Sequence, residues 1–364
     1  MHDLKAVSSL FDLRGDFVQG YSYGSGHIND TYCVWVDQAG LRIRYILQRV
    51  NHNVFRQPIP LMENVKRVTD HALKRLKEEN CPEAYRRTLT LVPAVDGKPY
   101  ALDADGNCGR VYPFIERART YDQIETTKQC VEAARAFGDF QKLTADLPGE
   151  PLFETIPNFH NTTSRLAALK DAIQADPLGR VKEVQKEIDW YLSREADCHL
   201  VVDYLKSGEL PLRCTHNDTK LNNVMLDDVT GEGICVIDLD TTMPGSAIYD
   251  FGDMIRTATS PAAEDEKDIS KVTMRMFMFE ALVQGYVSSA KSFLTPLEKS
   301  LLPFSGKLLT MECGIRFLTD YLSGDVYFKI HRPEHNLDRC RTQMALVESI
   351  EAQMDEMKAV VDRY

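Results

Sequence analysis

The chain has 364 residues, of which 43% are hydrophobic and 27% are charged, and its formal net charge is -11. A chain of this length and composition can bury a substantial core, which excludes a disordered or collagen-like protein. The acidic balance argues against nucleic acid or an anionic membrane as a partner. No apolar stretch approaches the roughly 20 residues needed to span a bilayer, and the N-terminal pattern is not that of a signal peptide.

The nine cysteines are scattered and form no CxxC pair. This usage favours reduced thiols in a cytoplasmic protein over a disulfide framework or a zinc site. We expect a chain of this size to act as a monomer.

The first third of the chain is rich in β-branched and aromatic residues punctuated by glycine. This pattern predicts three strands and, after one amphipathic helix, two more strands. The strands are expected at residues 17–23, 28–37, 41–50, 88–95 and 109–115, and the helix at residues 61–76.

From about residue 116 the spacing of apolar residues becomes helical. Helices are predicted at residues 126–143, 164–175, 181–206, 265–293, 296–322 and 333–362, with one β-like island at residues 213–240. The pattern predicts an α+β fold of two lobes. A nucleotide-binding β lobe spans residues 1–112, a hinge spans 113–116, and a helical lobe spans 117–364.

The β-like island carries the residues that point to chemistry. Asp218 and Asn223 are five positions apart, and Asp238 ends a later apolar strand. This spacing is typical of the kinase catalytic loop, in which the Asp accepts the proton of the acceptor hydroxyl and the Asn and the later Asp hold Mg²⁺. Asp and Asn are also ordinary turn residues, which is the alternative interpretation.

The chain resembles the aminoglycoside phosphotransferase and choline kinase family at these positions. Within that family the resemblance is to the branch that phosphorylates N-acetylhexosamines. It rests on the segments at residues 23–29, 215–223, 237–245, 250–253 and 309–318. It implies a protein-kinase-like fold, ATP and Mg²⁺ as cofactors, and phosphorylation of GlcNAc or GalNAc at the anomeric hydroxyl. By the same resemblance Asp218 is the base, and Asn223 and Asp238 are the Mg²⁺ ligands.

Several further residues are candidates for the nucleotide site. Gly24 and Gly26 lie between two strands and could bring backbone close to phosphate, although a plain hairpin would use the same residues. Lys220 stands where related kinases often place a lysine toward the γ-phosphate, or it is a solvated surface lysine. Tyr112 and Phe114 belong to the strand end and hinge, where backbone would bond the adenine edge.

The third strand lacks the lysine that related kinases use for phosphate. Because side chains alternate along a strand, Ile46 and Gln48 are expected to face the nucleotide and Arg49 the opposite side. Either the Gln48 amide bonds phosphate without a charge, or Arg49 turns inward through a bulge.

The acceptor candidates are His27, Thr241, Arg316 and Tyr327, carried mostly by the resemblance. Arg316 lies in an apolar helical segment and therefore needs a partner, which could be a sugar oxygen or the carboxylate of Asp240 or Asp320. Tyr327 could stack on a sugar or be a core aromatic. Two alternative functions remain at this point, a kinase of another small alcohol such as choline, homoserine or a thio-sugar, and an inactive nucleotide-binding module.

Overall fold

The computed structural model describes residues 3–24 and 28–364. The chain forms two compact units. The first contains the residues up to Arg119 together with Leu143–Pro157 and Met225–Met243, and the second contains Thr120–Lys142, Asn158–Val224 and Pro244–Tyr364. The predicted lobes differ from this partition, because two later segments join the first unit. Asn64 is one reason, since its side-chain amide donates to the backbone oxygens of Phe153 and Thr242.

The first unit is built on a five-stranded antiparallel sheet of order β1-β2-β3-β5-β4. Its elements are α1 (Leu4–Ser8), β1 (Asp16–Ser22), β2 (Asp30–Gln38), β3 (Leu41–Arg49), α2 (Pro58–Glu78), β4 (Ala101–Leu102), β5 (Cys108–Pro113) and β6 (Ala118–Arg119). The prediction of a strand at residues 88–95 is wrong. Only isolated bridges form there, at Val92 and Ala94.

The sheet has one apolar and one polar face. Val34, Val36, Leu47 and Val111 pack with Phe11 on the apolar face and form the core of the unit. Side chains of alternate residues point to the other face, because the side-chain period of a strand is two. That face carries Gln48 of β3 and its cross-strand partner in β5, Arg110.

The later segments of the first unit form a small sheet of order β6-β8-β9, with β8 at Val224–Asp227 and β9 at Gly233–Val236. A short 3-10 turn at Leu239–Thr241 follows β9.

The second unit is mainly helical. Its helices are α3 (Thr127–Thr144), α4 (Thr162–Ala175), α5 (Gln185–Leu192), α6 (Glu195–Ser207), α7 (Ala247–Ala258), α8 (Met276–Ala290), α9 (Pro296–Ser323), α10 (His335–Ala352) and α11 (Met354–Arg363). Two short strands, β7 (Arg213–Thr215) and β10 (Met243–Gly245), pair with each other. The helix α9 begins with a capping box made by Thr295 and Glu298, and its buried residues pack against α4, α5 and α10.

The α+β fold prediction is confirmed, with corrections to single elements. The helix predicted at 181–206 is two helices, the one at 333–362 breaks at Gln353, and the one at 265–293 starts only at Met276. The helix α7 was not predicted, because its sequence was interpreted as part of a polar motif. Within the described ranges, no helix has the length and apolar character that crossing a bilayer requires.

Candidate active site

The loop that follows β7 is fixed by two carboxylates of α7. Asp250 accepts the backbone N–H groups of His216 at 3.0 Å and Asn217 at 2.7 Å, and Asp253 accepts that of Thr219 at 3.0 Å. A carboxylate that accepts two neighbouring amides holds them in one conformation. Asp250 therefore braces the loop that carries Asp218.

His216 is a second brace of this loop. Its ring is buried and meets Phe137 and Phe140 edge to face. Its Nδ1 accepts the backbone N–H of Asp218 at 3.2 Å. This contact fixes the backbone that carries Asp218.

Asp218 lies among polar partners within the second unit. Lys220 Nζ is 2.7 Å from its Oδ1, and the Asn223 amide nitrogen donates to its Oδ2 at 3.1 Å and to its backbone oxygen at 2.8 Å. Burial would raise the pKa of Asp218, but the Lys220 ammonium outweighs it and lowers the pKa. The carboxylate is thus ionised at neutral pH and can accept a proton.

The residues predicted to hold Mg²⁺ have suitable chemistry. The Asn223 nitrogen is used by Asp218, so its oxygen Oδ1 is the atom left to face a cation. Asp238 is exposed and has a left-handed backbone, with φ of +59°. Carboxylate and amide oxygens suit Mg²⁺, which usually takes only one or two carboxylates from protein and the rest from phosphates and water. In residues 3–24 and 28–364 there is no group of three or more His, Cys, Asp or Glu side chains able to hold a metal.

Neither alternative for the missing lysine holds on the polar face of the sheet. The Gln48 amide donates to Thr31 Oγ1 at 3.0 Å and accepts from Arg110 Nε at 2.9 Å. Arg49 bonds Asp30 at 2.8 Å instead of turning inward. The cation bonded to Gln48 on this face is Arg110, which sequence analysis missed, although a charged residue in an otherwise apolar strand was a signal that could have been used.

Some polar groups at the predicted hinge form hydrogen bonds within the protein, and others have no partner among the described residues. The Phe114 N–H donates to the Arg44 backbone oxygen at 3.1 Å, and the Arg44 guanidinium lies 3.7 Å from the Phe114 ring centroid. This is a correction, because that N–H is not available to an adenine. The backbone of Ile115 makes no hydrogen bond to any described residue. The Tyr112 hydroxyl, which shares a face with Ile46, is likewise buried without a partner in the described ranges.

The glycine loop is described in part. Gly24 has a φ of +84°, a conformation that favours glycine, and a Cβ there would meet no atom within 4 Å in the part of the chain that is described. Gly26 and His27 lie outside the described residues. Thr241 is half-buried in the turn that follows Asp238.

Arg316 lies on α9 among three aromatic rings. Its guanidinium is 5.5 Å from the Phe159 centroid, 5.3 Å from Phe328 and 5.9 Å from Tyr327. Tyr327 is 67% exposed and so is not a core aromatic. In the described part of the chain no carboxylate lies within ion-pair distance of Arg316.

The predicted carboxylate partners of Arg316 are both occupied elsewhere. Asp240 pairs with Arg110. Asp320 accepts the backbone N–H groups at the end of α9, those of Val326 at 2.9 Å, Tyr327 at 2.8 Å and Phe328 at 2.9 Å. The alternative that Arg316 pairs with the carboxylate of Asp240 or Asp320 is therefore wrong.

A buried pair that sequence analysis missed joins helix α9 to the Asp218 loop. His160 Nδ1 donates to Glu312 at 2.7 Å, and its Nε2 donates to the Asn217 backbone oxygen at 3.0 Å. Glu312 lies one helical turn before Arg316 and also accepts from Thr162 at 3.1 Å. A continuous set of bonds thus runs from α9 to the residue before Asp218.

Both partners of the His160 ring are acceptors, so both ring nitrogens must carry a proton. Burial would lower the pKa of His160, but the Glu312 carboxylate outweighs it and raises the pKa. Burial would likewise raise the pKa of Glu312, and His160 together with Arg316 and Arg165 lowers it. Glu312 is thus already neutralised by His160, and Arg316 keeps its charge available.

A family model described as APH, phosphotransferase enzyme family, matches residues 22–270. The chain belongs to the APH phosphotransferase family. Solved structures support an APH fold over the whole chain. An aminoglycoside phosphotransferase from Alicyclobacillus acidocaldarius is 14% identical with a TM-score of 0.62, covering 100% of this chain and 98% of that one.

Two further solved structures are similar in fold to this chain. A microcompartment-associated aminopropanol kinase is 16% identical with a TM-score of 0.56, and the match covers 97% of each chain. A choline kinase from Cryptosporidium parvum is 15% identical with a TM-score of 0.55, covering 95% of this chain and 92% of that one. At these identities the likeness establishes the fold, and the acceptor has to be argued from the side chains of this chain.

Proposed function

We propose that this phosphotransferase is an N-acetylhexosamine 1-kinase, which transfers the γ-phosphoryl group of ATP to the anomeric hydroxyl of GlcNAc or GalNAc. Asp218 accepts the proton of that hydroxyl, and Asn223 and Asp238 hold Mg²⁺. The oxygen on C1 attacks phosphorus, so the bond between C1 and that oxygen survives and the anomeric configuration is retained.

Bound Mg²⁺ would neutralise charge on the phosphates, and positioning supplies most of the remaining catalysis in phosphoryl transfer. The chain contributes to positioning through the fixed loop. His216, Asp250 and Asn223 together hold the backbone and carboxylate of Asp218. Lys220 keeps that carboxylate ionised and so able to accept a proton.

ATP use is supported by the groups left unsatisfied in the first unit. The unbonded backbone of buried Ile115 offers one donor and one acceptor, which match the edge of an adenine. A Cβ on Gly24 would meet no atom of the described residues within 4 Å, as close approach of a phosphate requires.

The observation that carries the acceptor assignment is the guanidinium of Arg316, which forms no ion pair within the described residues and whose neighbour Glu312 already pairs with His160. A choline, ethanolamine or aminopropanol acceptor brings a cation, and a second cation at Arg316 would repel it. Hydroxyl and acetamide oxygens instead accept hydrogen bonds from a guanidinium, and exposed Tyr327 offers a ring for the apolar face of a sugar. A neutral amide sugar therefore suits this cluster better than an amine does.

The test is an acceptor panel with MgATP, read by ADP release. It should contain GlcNAc, GalNAc, the parent hexoses, choline, ethanolamine, aminopropanol and homoserine. We expect turnover with the N-acetylhexosamines and a product whose phosphate is on C1 by phosphorus NMR. A preference for any amine would overturn the acceptor assignment and leave a kinase of another class.

The catalytic assignment is tested with Asp218→Asn. Its turnover should fall by at least about 10²-fold, the loss expected when a general base is removed, while ATP still binds. Asp171→Asn, on the exposed side of α4, is the matched control and should keep full activity. ATP binding by the unmodified protein without transfer to any acceptor would instead indicate an inactive nucleotide-binding module.

A further inference from the structure

The polar face of the sheet contains a fully buried ion pair. Arg110 and Asp240 are each only 1% exposed, and the Arg110 guanidinium bonds the Asp240 carboxylate. They are 130 residues apart in sequence and both belong to the first unit. The pair therefore attaches the turn at Leu239–Thr241 to strand β5.

Each member of the pair is held by a further partner on the sheet side. Arg110 Nε donates to Gln48 at 2.9 Å, and Gln48 in turn donates to Thr31. The second oxygen of Asp240 accepts from the Asn29 amide at 2.6 Å. The carboxylate of Asp240 is thus bonded through both oxygens, and its position is fixed by two strands and a loop of the same unit.

The turn so attached begins directly after Asp238. The backbone of Asp238 has φ of +59° and ψ of +60°, a left-handed conformation that is unfavourable for a residue with a side chain. Such a conformation persists only where the surrounding structure determines it. Here the next two residues are buried, and the Thr242 N–H closes the turn on the Leu239 oxygen at 3.0 Å.

We propose that Arg110 is a positioning residue for the nucleotide-bound metal: its ion pair with Asp240 fixes the turn that presents the Asp238 carboxylate, in a protein whose third strand has no lysine. The proposal rests on the proposed function, because it takes Asp238 as a Mg²⁺ ligand. Arg110 acts through Asp240 and needs no contact with the nucleotide.

The physical argument against a purely stabilising role is that a buried ion pair contributes little net stability. Desolvation of both charges offsets their attraction, and apolar side chains of similar volume often stabilise a core as well or better. A fully bonded ion pair instead holds its two side chains, and the backbone segments that carry them, in a fixed geometry. Groups that orient metal ligands typically change metal affinity by about 10- to 100-fold when they are removed.

The test compares the protein with the double variant Arg110→Met/Asp240→Asn, which removes both charges and so leaves neither buried alone. A non-hydrolysable ATP analogue is titrated by calorimetry over a Mg²⁺ series and in EDTA. We expect the Mg²⁺ midpoint to rise at least about 10-fold, with affinity in EDTA unchanged. Amide exchange of Leu239–Thr242 should also become faster, a readout that requires no activity.

Arg86→Met/Asp227→Asn is the matched control, since this ion pair of 2.9 Å lies in the same unit and Arg86 makes no bond to the turn at Leu239–Thr241. It should leave the Mg²⁺ midpoint and the exchange of Leu239–Thr242 unchanged. A normal midpoint and normal exchange in the Arg110 variant would overturn the proposal while leaving the proposed function intact. An unmodified protein whose nucleotide binding does not respond to Mg²⁺ would overturn the proposed function, and this proposal with it.

Discussion

Arg316 illustrates how the surroundings of one side chain determine the kind of ligand it can take. Aromatic rings on three sides limit hydration of its guanidinium without supplying a counter-charge. A charged donor in such a place makes hydrogen bonds stronger than one in open water. The neighbouring Glu312 cannot neutralise it fully, because His160 already pairs with that carboxylate.

Arg316→Leu should therefore raise the Michaelis constant for the sugar by roughly 10- to 150-fold, the equivalent of a hydrogen bond from a charged group. The constant for ATP should stay unchanged, and the melting temperature should fall little because no carboxylate loses its partner. The matched control is Arg180→Leu. Arg180 lies 4.5 Å from the Tyr321 ring and pairs with Asp325 at 2.8 Å, so its loss should lower the melting temperature and spare the sugar constant. A destabilised Arg316 variant with a normal sugar constant would contradict the assignment.

The His160–Glu312 pair predicts a pH dependence of stability. Because the pKa of His160 is raised from 6.5, its contribution is complete below that value and is lost as the pH rises through the folded pKa. Because the pKa of Glu312 is lowered from 4.5, its contribution is complete above that value and is lost as the pH falls. The pair thus stabilises most between about pH 4.5 and 6.5.

His160→Gln should therefore lower the melting temperature more at pH 6 than at pH 9, where the unmodified protein has lost part of the same contribution. The measurement is a series of melting curves for both proteins across that range. Thr162→Val removes a bond to Glu312 without removing a titrating group, and its effect should be constant over the same pH values. A His160 effect that did not shrink with rising pH would show that the ring is neutral in the folded protein.

At the scale of elements, β10 and the Asp218 loop approach so closely that a side chain cannot fit between them. A Cβ on Gly245 would collide with Thr215 Oγ1 and would lie 3.1 Å from Asn217 Oδ1. Such a collision requires the buried Thr215 side chain or its strand, which leads into the loop, to shift.

Gly245→Ala should consequently destabilise the protein by about 1–3 kcal/mol, as overpacking does, and reduce turnover. Gly109→Ala is the control, because the nearest atom to its Cβ would be at 3.7 Å, an ordinary contact. Urea unfolding measures both. Adding Thr215→Ala to the Gly245 variant should recover part of the stability, and failure to recover any would mean that the collision is not the cause.

Local signals explain which elements and residues could be predicted from the sequence. Asp218, Asn223 and Asp238 follow a spacing that is readable along the chain, and the long helices follow the 3.6-residue period. The pairs Arg110–Asp240 and His160–Glu312 join positions 130 and 152 residues apart, and no periodic pattern records such a partner. The helix α7 was not predicted for a different reason. Its buried Asp250 and Asp253 accept hydrogen bonds from the Asp218 loop, so they interrupt the apolar pattern that marks a helix.

At the scale of the whole molecule, the burial and the pKa of the cysteine thiols indicate how well the core excludes solvent. None of the nine cysteines forms a disulfide, and most are buried, with Cys81, Cys214 and Cys313 partly accessible. Burial raises the pKa of Cys235 and Cys340 to about 12 and that of Cys313 to about 11. A thiol with such a pKa is almost wholly protonated at neutral pH and reacts slowly.

Labelling with an aromatic disulfide reagent at pH 8 should thus give a fast phase from the partly accessible Cys81 and Cys214, and Cys81→Ser should remove the Cys81 part of it. The buried thiols should react only at the rate of unfolding, which a series in urea would reveal as a common dependence. Peptide mass spectrometry identifies the labelled sites. Fast labelling of Cys340 in the native protein would contradict the closed core of α5, α9 and α10.

The absence of a primary amine from the sheet also determines how the protein can be marked chemically. Nucleotide analogues that carry an acyl phosphate transfer their label to unprotonated amines, and none of the strands β1 to β5 contains a lysine. The amide of Gln48 and the guanidinium of Arg110 do not react in this way. Lys220 is a poor substitute, because the neighbouring Asp218 outweighs burial and raises its pKa. Labelling surveys of kinases that use amine-directed nucleotide reagents should therefore label this protein poorly. A reagent directed at carboxylates would be needed to label it.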